Sequence, residues 1–222
     1  MSAPSAPRDR TASPTSTGTA TTAEPRPVKR SWRVVDIVVA AVVAVACGVI
    51  FWAWNLAYAG IGGLFVAFPP SSGLVAGMWL FPAVLGGLLI RKPGAALFTE
   101  MVAAAVSALL GSQFGLTVLA SGFVQGLGAE IILLLFLYRR FTLPVALLAG
   151  LLTGILGGIN DALIFNWFPE YTFEWKLIYV AFLAVSGVII AGLLSWLATR
   201  GLAATGALSA LASRRAHQEP VV

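Results

Sequence analysis

The sequence predicts an all-α integral membrane protein in which six transmembrane helices form a bundle and both termini are cytoplasmic. Its 222 residues are 59% hydrophobic and 10% charged, whereas a soluble domain carries about 25% charged residues. Six stretches approach the length of about 20 mostly apolar residues that a membrane-spanning helix needs. The basic residues between these stretches fall, with one exception, in every other connection, which is typical of a polytopic membrane protein.

The six predicted spans follow a polar N-terminal segment. They are Val34–Trp54, Gly73–Ile90, Gly94–Leu110, Leu116–Tyr138, Leu143–Phe165 and Lys176–Thr199. The second is short, and Pro82 inside it predicts a kink. Residues 1–30 are rich in Ser, Thr, Pro and Ala and predict a disordered cytoplasmic tail. The membrane domain is expected over residues 31–200, and a cytoplasmic C-terminal tail over residues 201–222.

The lysines and arginines predict the orientation in the cell membrane. Basic residues precede the first span, join spans two and three, join spans four and five, and follow span six. Lys176 is the exception, because it lies in a connection of the other parity. Cytoplasmic connections are enriched in Lys and Arg, so an even number of spans places both termini inside.

Composition also excludes several classes of function. The net charge of +5 comes from residues at span ends, which argues against a nucleic-acid partner. One cysteine, Cys47, and one histidine, His217, allow neither an internal disulfide nor a Cys/His metal site. No cofactor or metal is expected. The sequence lacks a G-x-x-x-x-G-K-[ST] motif, so we expect no ATPase activity by a P-loop. We also do not expect the protein to be an enzyme.

Two carboxylates lie well inside predicted spans. At 1.5 Å per residue, Glu100 and Glu130 are about 10 and 13 Å from the cytoplasmic ends of spans three and four. At similar depth they could share a proton, which favours an alternative function as a carboxylate-dependent intramembrane enzyme or proton-coupled carrier. Glu130 by itself is compatible with a structural role or with ligand contact. A scaffolding subunit that binds no small molecule is a further alternative.

The outer half of the bundle combines polar and aromatic side chains. Gln125, Asn160 and Asp161 lie in the outer parts of spans four and five. Trp54 and Trp167 would supply flat apolar walls. A few polar groups among aromatic faces are typical of a pocket for a small planar molecule.

Span one carries a stripe of small residues, Ala40, Ala44 and Gly48, spaced four apart. Such stripes let another helix approach closely. The pattern itself is compatible either with internal packing or with a partner protein.

Several segments resemble a known family. WRVVDIVVAAV, GVIFWAWN, IRKPGAALFTE and GFVQGLGAE occur in the order and spacing of the YkoE group of S components, the substrate-binding subunits of energy-coupling factor (ECF) vitamin transporters. The resemblance covers about residues 32–199. It implies capture of thiamine or its hydroxymethylpyrimidine (HMP) precursor from outside the cell, and import with a transmembrane T component and cytoplasmic ATPase subunits.

The resemblance also implies roles for residues. Docking to the T component is expected through Ala40, Ala44 and Gly48. For the vitamin, tryptophan stacking and acidic or amide groups are expected. The candidate substrate-binding residues are Trp54, Asn55, Gln125, Glu130, Asn160, Asp161, Asn166 and Trp167.

Overall fold

The structure, a computed structural model, describes residues 31–222, and the predicted tail over residues 1–30 lies outside the described residues. Within 31–222 every regular element is helical. The long helices are α1 (Val34–Ile61), α2 (Pro69–Ile90), α3 (Ala95–Leu109), α4 (Thr117–Leu135), α5 (Leu143–Ile164) and α6 (Phe173–Ala204). The prediction of an all-α membrane bundle is confirmed.

Five of these helices are long and apolar enough to cross a membrane, and α3 is the shorter apolar one. Its 15 residues extend about 22 Å at 1.5 Å per residue, less than the roughly 30 Å hydrocarbon core. The predicted bounds differ most at α1, which continues seven residues past Trp54 to Ile61. Helix α4, in contrast, is shorter than predicted. It ends at Leu135 and not at Tyr138, because the backbone of Leu137 and Tyr138 takes positive φ values.

Helix α2 is irregular. It consists of a 3-10 turn, one α turn, a second 3-10 turn at Gly77–Leu80 and a regular α segment, Phe81–Ile90. The departure from α geometry therefore precedes Pro82, which occupies the first turn of the last segment. Proline is tolerated there because the N–H groups of a first turn have no partner within the helix. The next residue, Ala83, donates its N–H to the carboxylate of Glu100 in α3.

The bundle has two chemically distinct ends. The aromatic end contains the connections 62–68, 110–116 and 165–172. The basic end contains residues 31–33, 91–94, 136–142 and the tail 205–222, which folds back onto the helices. Leu143 N donates to Val221 O at 3.0 Å, and Arg91 forms an ion pair with Glu219 at 2.6 Å.

The small-residue stripe of α1 lies inside the bundle. Ala40 and Ala44 are 1% and 0% exposed, and α1 packs against α3. A Cβ atom added to Gly48 would lie 2.5 Å from the Cβ atom of Val106. The stripe is therefore covered by the chain's own α3, and its role in docking to a T component stays a prediction. Its smoothness permits close packing against the chain's own α3.

Glycines allow the same close approach between α5 and α6. A Cβ atom at Gly150 would lie 2.2 Å from the carbonyl oxygen of Gly187. Each helix also contains a π-helical segment, at Asn160–Ile164 in α5 and Gly187–Leu194 in α6. The wider π turn in α5 carries Asn160 and Asp161 on the buried side of the helix.

Candidate functional site

A cavity lies among the helices below the aromatic end. About 80 Å³ is open to the centres of water-sized molecules, and one water needs roughly 10–15 Å³ on this measure. The cavity therefore has room for a small organic molecule. Its aromatic lining comprises Phe51, Tyr58, Trp79, Phe114, Trp167, Phe168 and Tyr179, and its other polar residues are Glu100, Gln113, Ser121, Gln125 and Asp161.

Glu100 is a completely buried carboxylate in the lining. Its Oε2 atom accepts a hydrogen bond of 2.8 Å from the N–H of Ala83, in the first turn of the last α2 segment. Its Oε1 atom has no hydrogen-bond partner within residues 31–222. A buried acceptor without a partner costs about 1–3 kcal/mol, so a ligand that donates to Oε1 would be favoured.

Asp161 supplies a second carboxylate, on the π-helical segment of α5. Its Oδ1 accepts from Asn160 Nδ2 at 3.1 Å, and its Oδ2 accepts from the hydroxyl of Tyr179 at 3.5 Å. Asn160 also donates to Ser121 Oγ at 2.8 Å. These bonds connect α4, α5 and α6 and fix where the Asp161 side chain lies.

Aromatic rings cover the polar groups from the aromatic end. Phe114 is stacked on Trp167 with centroids 4.7 Å apart and an interplanar angle of 22°. Trp79 forms T-shaped pairs with Phe114 and Tyr58, with ring centroids 5.7 and 4.9 Å apart. The indole N–H of Trp79 donates to Asn55 Oδ1 at 3.0 Å. This bond holds the Trp79 ring in position against the cavity.

The candidate residues from the sequence fall into three groups. Gln125, Asp161 and Trp167 line the cavity. Asn55 and Asn160 lie behind the lining and bond to Trp79 and Asp161.

The third group lies away from the lining. Trp54 belongs to it, and so does the exposed residue Asn166, whose side chain accepts from Lys176 Nζ at 2.5 Å. Glu130, in the same group, lies towards the basic end of the bundle, at the start of α3. The roles of all these residues in substrate binding stay predictions.

Glu130 caps α3 from the neighbouring helix α4. Its carboxylate accepts from Gly94 N at 2.5 Å, Ala96 N at 3.0 Å and Leu97 N at 3.3 Å. The hydroxyl of Tyr138 donates to it as well. A carboxylate at a helix N-terminus satisfies otherwise unpaired N–H groups and is favoured by the helix dipole.

The predicted pairing of Glu100 with Glu130 is wrong. Among the described residues no hydrogen bond joins them, because Glu130 is engaged by the start of α3 while Glu100 lies more than one turn further along that helix. Glu100 instead lies level with Gly126 of α4, where an added Cβ would be 3.3 Å from the Glu100 Cβ atom. The predicted depth of Glu130 was counted from a span end at Tyr138, whereas α4 ends at Leu135.

Sequence reasoning missed most of the lining, and three of the missed residues are Glu100, Trp79 and Phe114. Glu100 was considered only with Glu130, although an acidic residue inside a span is itself a signal of a functional site. Trp79 was missed because its proximity to α1 depends on the irregular turns of α2. Phe114 lies between Gly111 and Gly115, both at positive φ, and this turn signal could have indicated a residue placed over the bundle.

Comparisons with known proteins agree with this architecture. A family model described as the permease component of an ABC-type cobalt transport system matches residues 35–156. YkoE of Bacillus subtilis (strain 168), described as a candidate HMP/thiamine permease protein, is 35% identical over 185 residues, which cover 82% of this chain and 90% of that protein. The chain belongs to the YkoE family.

A solved structure extends the comparison to the fold. A crystal structure of an S component of an ECF transporter superposes with a TM-score of 0.77 at 33% identity, covering 85% of this chain and 94% of that chain. This YkoE-family protein therefore has the S-component fold and is a membrane transporter subunit. The resemblance inferred from the sequence is confirmed.

Proposed function

We propose that this S component binds HMP, or thiamine through its pyrimidine ring, in the cavity below the aromatic end. The observation that carries the proposal is the buried Glu100 carboxylate, which has one oxygen held by Ala83 and the other without a partner within residues 31–222. The amino group of the pyrimidine would donate to that free oxygen. The name of the B. subtilis relative supports this substrate class.

The remaining lining suits the rest of such a ligand. Trp79, Phe114 and Trp167 offer faces and edges for a flat ring, and aromatic contacts of this kind contribute about 0.5–1.5 kcal/mol beyond area burial. Gln125 can donate and accept, so it can bond a ring nitrogen or a hydroxymethyl group. Asp161 would accept from that hydroxyl, or in thiamine lie near the positive thiazolium ring.

We further propose that the aromatic end faces the outside and the basic end faces the cytoplasm. Arg91, Lys92, Arg139 and Arg140 in the connections of the basic end support this orientation. The cavity would then be loaded from outside. Import would require a T component and ATPase subunits, since the proposed role of this chain is capture and not ATP hydrolysis.

Because the small-residue stripe of α1 is buried, contact with the T component is proposed for the outward face of the same helix. Its apolar residues include Val38 and Val42, which are 53% and 64% exposed. Lipid would cover this face when the T component is absent.

Intrinsic fluorescence tests the substrate. HMP and thiamine should quench the tryptophan fluorescence of the purified protein, because Trp79 and Trp167 line the cavity. Trp79→Phe and Trp167→Phe should each reduce the quenching, whereas Trp54→Phe, outside the lining, serves as the matched control. If neither compound quenched the fluorescence at micromolar concentration, the proposal would be contradicted.

A further inference from the structure

The basic end contains a second, larger cavity that the capture of a vitamin at the aromatic end does not use. It offers about 710 Å³ to the centres of water-sized molecules. Its cationic lining comprises Arg33, Arg91, Lys92, Arg139, Arg214 and Arg215, and its acidic lining is Glu219. The cations come from four separate parts of the chain, so the fold gathers them on one concave surface.

Half of these six cations have no acidic partner within residues 31–222. Both carboxylate oxygens of Glu219 are engaged by Arg91, at 2.6 and 2.8 Å, and Arg33 is paired with Asp36 at 2.7 Å. Within residues 31–222, Arg139, Arg214 and Arg215 form no ion pair. Clustering like charges is unfavourable in isolation, so the arrangement favours an anion.

The tail is anchored in a way that fixes Arg214 and Arg215 over the cavity. The hydroxyl of Ser213, which is completely buried, donates to Leu89 O at 2.6 Å. On the other side of the two arginines, Arg200 donates to the carbonyl oxygens of residues 216, 217 and 219 at 2.7–3.0 Å. Solvated charges that only set membrane orientation would not need these anchors.

The backbone around the cavity is strained as well. Four non-glycine residues within 31–222 have positive φ, and three of them, Arg91, Leu137 and Tyr138, lie at or beside this cavity. Arg91 follows the last residue of α2 at φ 58°, a position that glycine commonly occupies. Backbone strain of this kind clusters at functional sites.

We propose that this cavity binds a phosphate group, carried either by an anionic lipid headgroup or by a free phosphorylated small molecule. Arginine guanidinium groups match phosphate oxygens with paired, charge-assisted hydrogen bonds. Basic pockets beside the ends of membrane helices are also suited to lipid headgroups. The site does not depend on which small molecule occupies the aromatic end.

Two probes distinguish the sources of the phosphate. Inorganic pyrophosphate is titrated by calorimetry into the full chain in phosphatidylcholine nanodiscs, and retention of phosphatidylglycerol is measured by native mass spectrometry of detergent-solubilised protein. The test variant is Arg139→Gln/Arg214→Gln/Arg215→Gln. The control variant, Arg8→Gln/Arg10→Gln/Arg26→Gln, also loses three positive charges, but from the N-terminal segment.

The test variant should bind pyrophosphate roughly 100-fold more weakly, or lose phosphatidylglycerol to that extent, since three surface contacts with phosphate are removed. Loss of pyrophosphate binding identifies a free phosphate ligand, and selective loss of phosphatidylglycerol identifies a lipid. Either result supports the site if the control matches wild type. Equal losses in both variants, or no binding of either probe by wild type, would overturn it.

A matched thermal midpoint for the test variant and wild type, both without added ligand, excludes unfolding as the cause of a loss. If that variant unfolds, Arg214→Gln/Arg215→Gln alone is used, because these side chains make no hydrogen bond within the described residues. HMP binding is measured in the same samples, so a failed phosphate site and a failed vitamin site give separate results.

Discussion

Replacing Glu130 by alanine should destabilise the bundle without weakening the binding of HMP. The substitution removes the acceptor of three backbone N–H groups at the start of α3, those of Gly94, Ala96 and Leu97. Leaving a buried donor unpaired costs about 1–3 kcal/mol. Glu130 is partly exposed, so water can reach some of these groups and the lower end of that range applies. The expected loss is about 3 kcal/mol.

Thermal unfolding in detergent, followed by intrinsic fluorescence, measures this loss. For a chain of this length 1 kcal/mol corresponds to a shift of about 2–4 °C, so Glu130→Ala should lower the midpoint by roughly 6–12 °C. Glu130→Gln keeps one amide oxygen as an acceptor and should lose about half as much.

The matched control is Glu170→Ala, which removes an exposed carboxylate at the aromatic end and should change the midpoint little. Equal midpoints for Glu130→Ala and Glu170→Ala would refute the capping role. If Glu130→Ala abolished HMP binding at unchanged stability, Glu130 would be a ligand group after all.

Three other substitutions test separate parts of the structure. Ala44→Trp should prevent folding and so lose vitamin binding and partner binding together, because Ala44 is 0% exposed against α3; a stable variant that loses only T-component copurification would support a docking role of the stripe instead. Asn55→Ala removes the acceptor of the Trp79 indole and should weaken HMP binding roughly 3- to 10-fold in fluorescence titration, from a net bond worth about 0.5–1.5 kcal/mol; unchanged affinity would show that Trp79 needs no such support. Gly150→Ala places a Cβ 2.2 Å from Gly187 O and should lower the thermal midpoint by several degrees, whereas Gly201→Ala, which meets nothing within 4 Å, should not.

The sequence predicted the membrane bundle because apolar length and charge alternation are local properties of each segment. It also predicted that Gln125, Asp161 and Trp167 belong to one pocket, and all three line the cavity below the aromatic end. The irregular turns of α2 could not be predicted, since Gly77–Leu80 departs from α geometry where it packs against α6. Those turns bring Trp79 to Asn55 and Ala83 to Glu100.

The small-residue stripe shows a different limit. Ala40, Ala44 and Gly48 make α1 smooth on one face, and that pattern is the same whether the neighbour is α3 or another protein. The position of Val106 against Gly48 shows that α3 is the neighbour within this chain. Likewise, the depth of Glu130 depended on where α4 ends, and that end depends on the positive φ values of Leu137 and Tyr138.

The measurement that tests the central claim most directly is calorimetric titration of HMP into wild type, Glu100→Gln and Glu130→Gln. Glutamine at position 100 can still accept from Ala83 N–H, but it cannot keep a free carboxylate oxygen for the amino group of the pyrimidine. Loss of one charge-assisted hydrogen bond, worth about 1.5–3 kcal/mol, predicts affinity roughly 10- to 150-fold weaker. Glu130→Gln should bind HMP as wild type does. Wild-type affinity in Glu100→Gln would contradict the proposed site.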